Sequence, residues 1–169
     1  VPNWIEPPSD WNDLSYELRV LYTYEALYVV MDVEDGQIVS DSEESWMDDC
    51  AELFFDGDVT ENDLWNDDPS QEGFHIIMGA DGSTFTKGLE YGLEWSAAAE
   101  QHDNGYTVEF RIPLSSIDTR DGEEYRNPEP GDMIRFNASV GDDDNGGWPY
   151  EEGDSYLAWS GSYDGWLVY

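Results

Sequence analysis

Basic residues are nearly missing from this chain. One lysine, Lys87, and five arginines, Arg19, Arg111, Arg120, Arg126 and Arg135, stand against forty acidic residues, a formal net charge of −34. Such a surface repels nucleic-acid phosphates and anionic lipid headgroups, so neither nucleic acid nor membrane is an expected partner. Cysteine is almost absent too. Cys50 stands alone, which excludes an internal disulfide and a cysteine-based zinc site. No base flanks it, so it reads as a buried inert thiol rather than a nucleophile. No run of about 18 apolar residues occurs, which excludes a hydrophobic helical span. The chain opens on Val1 with no basic-then-apolar leader; the expectation is a mature protein or excised domain, with any signal peptide outside the sequence. No Gly-x-Ser-x-Gly elbow and no phosphate-cradling glycine loop is present.

What is present is aromatic and alternating. Of 169 residues, 15% are aromatic, and each aromatic buries a large area, so one domain spanning 1–169 can fold without a disulfide or metal. Period-2 alternation dominates. Leu27, Val29, Met31 and Val33 fall on one face of 26–34. Val108, Phe110 and Ile112 do so in 106–112, and Ile134, Phe136, Ala138 and Val140 in 133–140. Further strands are expected at 16–24, 50–56, 73–79, 83–87, 89–95, 156–160 and 166–169. Short helical turns are expected near 114–118, just after Pro113, and near 61–65. Asp-Gly and Asn-Gly pairs such as Asp81-Gly82 and Asn104-Gly105 punctuate these runs and supply the positive φ of tight hairpins. About ten short strands between turn signals predict an all-β antiparallel β-sandwich, jelly-roll-like.

Two polar stretches, 57–72 and 141–153, are too long for hairpin turns, and long loops on a rigid sandwich often carry function. Several aromatics sit in acidic loop sequence: Trp46, Trp65, Trp148, Tyr150 and Tyr163. Flat aromatics cover the apolar C–H faces of a sugar while carboxylates and amides meet its hydroxyls; the alternative is that they cap the ends of the core. Asp56, Asp58, Asp63 and the run Asp142-Asp143-Asp144 are hard oxygen ligands suited to calcium, although no twelve-residue EF-hand spacing is met and a solvated acidic loop has the same composition. Carboxylate pairs are too common here to signal catalysis, and His75 and His102 have no nucleophile in a recognisable motif, so no catalytic residue is assigned and a non-enzyme is expected. His75 with Met78, Met31 or Met133 is a conceivable haem ligand set, against the ordinary role of a core histidine. Forty acids also predict a salt-adapted surface or a calcium-loaded extracellular protein.

Four strings carry a likeness: Glu25–Asp35 (EALYVVMDVED), Trp46–Asp56 (WMDDCAELFFD), Gly105–Leu114 (GYTVEFRIPL) and Gly131–Asn137 (GDMIRFN). In this order and spacing they resemble family 9 carbohydrate-binding modules and their relatives in the DOMON-like superfamily, over about Leu14 to Tyr169. The resemblance implies a β-sandwich that binds a plant or algal polysaccharide or its oligosaccharides. It also implies structural Ca2+ and attachment to a secreted polysaccharide-degrading enzyme. Two tryptophans sandwich a sugar in such modules. Carried over, they are Trp46, six before the matching Glu52, and Trp148 of the late Asn145-x-x-Trp148. Asp35 is the acid after the LYV strand. Where an arginine is expected on the next strand, 73–79 offers His75 or Ile77. The carbohydrate set is thus Trp46, Trp148, Asp35, Glu52, Asn145 and His75, and the metal set Asp56, Asp58, Asp63, Asp142 and Asp144. The expected protein is an extracellular monomer; the alternative is a DOMON-type haem-binding electron-transfer domain of the same fold.

Overall fold

The computed structural model describes residues 8–57, 73–88, 94–119, 126–146 and 154–159. Nine strands fold among them: β1 Leu14–Tyr22, β2 Ala26–Asp35, β3 Cys50–Asp56, β4 Gly73–Gly79, β5 Thr84–Gly88, β6 Ser96–His102, β7 Gly105–Pro113, β8 Arg135–Asp142 and β9 Ser155–Ala158. They form a four-stranded sheet, β1-β2-β7-β6, and a five-stranded sheet, β5-β4-β3-β8-β9. All pairings are antiparallel, and the two sheets make the expected β-sandwich.

The period-2 rule places the core. Val29, Met31 and Val33 from β2 and Val108, Phe110 and Ile112 from β7 meet Ala51, Leu53 and Phe55 from β3, with Phe74, Ile76 and Met78 from β4 and Ala138 and Val140 from β8. Phe55 stacks on Phe74, with ring centroids 4.7 Å apart. Side chains on successive residues alternate faces. The residues between these core positions therefore point away from the core: Cys50, Glu52 and Phe54 on β3, His75 and Ile77 on β4, Asn137 and Ser139 on β8. All seven are buried, so this outer face of the larger sheet is covered, unlike an ordinary solvent-facing sheet.

β3 and β4 occupy the expected 50–56 and 73–79. The turn after Pro113 is a 3-10 helix at Leu114–Ser116, as the sequence suggests. β1 begins and ends two residues earlier than expected, because its register is fixed by pairing Leu14 with Asp35 and Tyr22 with Leu27. Of the strand expected at 89–95, residues 89–93 lie outside the described residues; β6 at Ser96–His102, where Ala97 and Ala99 alternate inward, was not expected. A 3-10 turn at Ser45–Met47, not expected, leads into β3 and packs against β4 and β5. The expected elements at 61–65 and 166–169 lie outside the described residues.

Candidate functional site

Two groups of polar side chains occupy the larger sheet and the loops at one end of it. The first lies on its outer face. Glu52 and His75 come from neighbouring strands, with His75 opposite Phe54 in the register. The Glu52 carboxylate Oε2 is 2.6 Å from His75 Nε2, and both residues are buried. The His75 ring stacks on Phe54, centroids 4.1 Å apart and 14° from parallel, and meets the edge of Phe85. Asn137, opposite Phe54 on the other side, is 1% exposed. Neither its amide nitrogen nor its oxygen has a hydrogen-bond partner among the described residues. Tyr156 Oη donates to Ser139 Oγ farther along the same face. An aromatic ring, a paired carboxylate and imidazole, and a buried amide without a partner among the described residues are the chemistry that a polyhydroxyl ring satisfies.

Trp46 lies in the Ser45–Met47 turn and is half-buried; Asn145, just beyond β8, is exposed. The Asn145 side chain donates from Nδ2 to Asp154 Oδ1 at 3.1 Å. Trp148 lies outside the described residues.

The second group gathers carboxylates from three chain segments. β2 ends on Asp35, the pair Asp48-Asp49 immediately precedes β3, and β8 runs into Asp142-Asp143. Because β3 and β8 pair Cys50 with Gly141, the two acidic dipeptides meet at one end of the sheet. Asp35, Asp49 and Asp142 each offer an oxygen within 4.8 Å of the others, and so do Asp41, Asp48 and Asp143. Five of these six residues are buried; Asp41 is exposed. Asp49 Oδ1 accepts from Asp143 N at 3.0 Å, and Oδ2 accepts from Val39 N. Asp35 Oδ2, Asp142 Oδ1 and Asp143 Oδ2 are buried without a hydrogen-bond partner among the described residues. So is the hydroxyl of Tyr106, which is 0% exposed.

Burial pushes the Asp49 carboxyl up to about 9, with the charge of Asp35 adding to the rise. Asp142 rises to about 8, again mainly by burial and further by Asp35 and Asp144. Asp35 is raised by burial and by Asp144. Burial pushes Tyr106 and Cys50 well up, and Cys50 and then Asp49 add to the rise at Tyr106, as Glu52 and then Asp49 do at Cys50. Without a cation, the buried carboxylates favour holding protons.

The predicted site residues divide accordingly. Glu52 and His75 come together. Asp35 does not join them: it is buried with Asp49 and Asp142, Oδ1 accepting from Gln37 N at 2.7 Å. Asp142 is in the carboxylate group. Asp144 is next to it, half-buried, with its backbone carbonyl accepting from Gln37 Nε2, but its carboxylate belongs to neither triad. Asp56 sits at the far end of β3, about 20 Å away by strand rise, where it pairs with Arg135 at 3.3 Å. It therefore cannot share an ion with Asp142. Asp58 and Asp63 lie outside the described residues. The haem set does not assemble, because Met31 and Met78 belong to the inner core while His75 faces outward, and Met133 is exposed at 74%. Sequence reasoning missed Asp41, Asp48, Asp49 and Tyr106. The only available signal was an acidic pair abutting a strand start, which forty acids drown.

A family model described as "Carbohydrate family 9 binding domain-like" matches residues 3–164. A family 9 carbohydrate-binding module from Caldicellulosiruptor kristjanssonii, solved in complex with glucose, is similar at TM-score 0.72 and 18% identity, covering 96% of this chain and 76% of that one. The cellotriose complex of a family 9 module from the same organism has TM-score 0.63 and 20% identity, covering 80% and 62%. Endo-1,4-beta-xylanase A of Thermotoga neapolitana is 27% identical over 126 residues, which is 75% of this chain and 11% of the xylanase. The chain thus spans about a tenth of that curated relative. With nearly its whole length matched by the family model, the chain belongs to the carbohydrate family 9 binding domain-like family of non-catalytic carbohydrate-binding modules.

Proposed function

We propose that the outer face of the five-stranded sheet is the sugar site, and that its ligand is a β-linked plant or algal polysaccharide, or an oligosaccharide of it. The observation that carries this reading is the buried Glu52–His75 pair beside the unpartnered amide of Asn137. A buried polar group left unpaired costs about 1–3 kcal/mol, so a sheet face built this way is best satisfied by a ligand with many hydroxyls. Glu52 accepts from such hydroxyls, and His75 lies on β4, the strand on which the resemblance expects an arginine. Trp46, on the turn entering β3, and Trp148 supply the aromatic faces, with Asn145 at the edge. Glucose and cellotriose bound to the similar modules support a glucan ligand, and the xylanase relative supports a place within a larger secreted enzyme. The module itself acts as a monomer on a salt-adapted, acidic surface.

The family's structural calcium fits the inner triad. Asp35, Asp49 and Asp142 are hard oxygen donors, and the unpartnered Asp35 Oδ2, Asp142 Oδ1 and Tyr106 Oη lie among them. A calcium ion there would neutralise the buried charge and tie β2, β3 and β8 together.

The test is isothermal titration and affinity electrophoresis against cello- and xylo-oligosaccharides and soluble polysaccharides, in calcium and high salt. Wild type should bind at least one ligand. Trp46→Ala should weaken that binding by about 2 kcal/mol or more, the usual cost of removing an aromatic anchor. Silence of wild type across the panel would overturn the reading.

A further inference from the structure

β1 is an edge strand. It pairs with β2 in an unbroken register, from Leu14 opposite Asp35 to Tyr22 opposite Leu27, and with no other described strand. Two backbone bonds just beyond its ends show which of its groups that pairing uses. Gly36 N donates to Asp13 O at one end, and Thr23 N donates to Ala26 O at the other. Successive residues of a strand direct their backbone groups to opposite sides. Ser15, Glu17, Arg19 and Leu21, in step with Asp13 and Thr23, therefore bond to β2. The N–H and C=O groups of Leu14, Tyr16, Leu18, Val20 and Tyr22 point out of the sheet edge. Little blunts this edge: β1 has no proline, lysine or bulge, and Val20, Leu21 and Tyr22 are exposed at its end, Tyr22 at 77%. Val20 and Tyr22 share a face with Leu14, which is buried in the core, and with Tyr16 and Leu18, which pack against it. Trp159 N and Tyr16 Oη both donate to Ala138 O, which sets the exposed Trp159 beside the same edge.

Charge fixes what fits there. Glu17 and Arg19 stand together on the outer face of the strand, Arg19 Nε donating to Glu17 Oε1 at 3.0 Å. A second β1 laid antiparallel along the edge, about a two-fold axis, must set outward-pointing residues opposite one another. An axis through Glu17 or through Arg19 would put like charges face to face. An axis through Leu18 sets Glu17 opposite Arg19 of the second copy and Arg19 opposite its Glu17. Both are then non-hydrogen-bonded pairs, in which side chains approach most closely. Leu18 is also the midpoint of Leu14–Tyr22, so all nine residues overlap. Leu18 meets Leu18, Val20 meets Tyr16 and Tyr22 meets Leu14, which extends the inner face of each sheet with apolar side chains from the other.

We propose that the β1 edge is an interaction surface for a second copy of this chain. Two copies pair antiparallel through β1, centred on Leu18, with two reciprocal Glu17–Arg19 pairs joining their four-stranded sheets into one. The net charge of −34 on each copy opposes the pairing in dilute buffer. Salt screens that repulsion, so the pair is a high-salt state. The proposed sugar face lies on the other sheet, so each copy grips its ligand by itself, paired or not.

Sedimentation equilibrium over a range of protein concentrations, in dilute buffer and in about 1 M NaCl, tests the pairing. Wild type should be monomeric in dilute buffer and shift toward dimer in salt, the dissociation constant of the dimer falling by about tenfold or more as the Debye length shrinks. Glu17→Arg and Arg19→Glu each set like charges opposite one another, so each alone should stay monomeric in salt, the first even though it lowers the net charge. Mixed together they should pair, because the arginines of one then face the glutamates of the other. Both side chains are largely exposed, so the fold should survive. Amide hydrogen exchange on wild type in salt needs no variant. Raising the protein concentration should slow exchange at Tyr16, Leu18 and Val20 and leave Glu17 and Arg19, already bonded to β2, unchanged. A wild type that is monomeric under every condition, single variants that pair as well as wild type, or a mixture that fails to pair would overturn the proposal. So would concentration-dependent protection confined to other segments.

Discussion

Glu52 is held in two roles at once. Its backbone is central to the sheet, and its carboxylate contacts His75 at 2.6 Å on a covered face. Cys50 sits two residues earlier on that face, its Sγ 4.0 Å from Glu52 Oε1. Burial and the neighbouring acids raise its thiol far above the reactive range, in keeping with the inert thiol expected from sequence. Replacing Glu52 by Gln keeps the shape and removes the charge. A hydrogen bond to a charged group contributes about 1.5–3 kcal/mol, so Glu52→Gln should weaken sugar binding about tenfold to a hundredfold. The melting temperature should change by only a few degrees, since the amide can still bond His75. Titration and calorimetry on the same sample separate this from a purely structural Glu52, which predicts a lowered melting temperature and unchanged affinity. The residue types of this site were legible, because Glu52 and His75 alternate with core residues in strands whose limits the sequence marks. Asp35 was not legible. Nothing local distinguishes a carboxylate aimed at a sugar from one aimed at two other carboxylates, one just before β3 and one at the end of β8.

At the scale of elements, the hairpin β6–β7 is the most exacting. The register pairs His102 with Gly105, so Asp103 and Asn104 form the turn and Gly105 is already the first residue of β7. The Asn-Gly signal located the hairpin but not its register. Gly105 has φ +145°, and a Cβ there would lie 2.0 Å from the carbonyl oxygen of Val33 on β2. Gly105→Ala should therefore destabilise by at least the roughly 1–3 kcal/mol typical of a forced backbone conformation, read as a lower denaturant midpoint with an unchanged slope. A midpoint equal to wild type would mean the β2–β7 junction is looser than drawn. The same hairpin shows why part of the fold was hidden. β6 reads Ser-Ala-Ala-Ala-Glu-Gln-His, with no β-branched or aromatic residue, and becomes a strand only because β7 offers it a ladder. β3 and β4 carry their own aromatic and β-branched signal and were placed to the residue.

Over the whole molecule, charge governs how these parts hold together. A net −34 with one lysine produces self-repulsion that screening shortens from about 30 Å at 0.01 M salt to about 3 Å at 1 M. The melting temperature should rise with NaCl and then level off; a flat profile from dilute buffer to molar salt would refute a salt-adapted surface. pH separates general repulsion from the carboxylate groups. Asp49 titrates at about 9 and Asp142 at about 8 in the folded protein, against about 3.9 unfolded. Between those values the folded state binds more protons than the unfolded one, so stability falls as pH rises. Their contribution is full below about pH 4 and gone above about pH 9. A divalent cation replaces those protons, since it binds the ionised carboxylates and needs no proton to offset their charge. In chelator, then, the melting temperature should drop steadily between about pH 5 and pH 9. In saturating calcium at the same ionic strength the slope should flatten, and the gap between the two curves should widen toward alkaline pH. Parallel curves would show that no cation enters the carboxylate groups. A chelator curve that rises with pH would show those carboxylates already ionised and paired by something else.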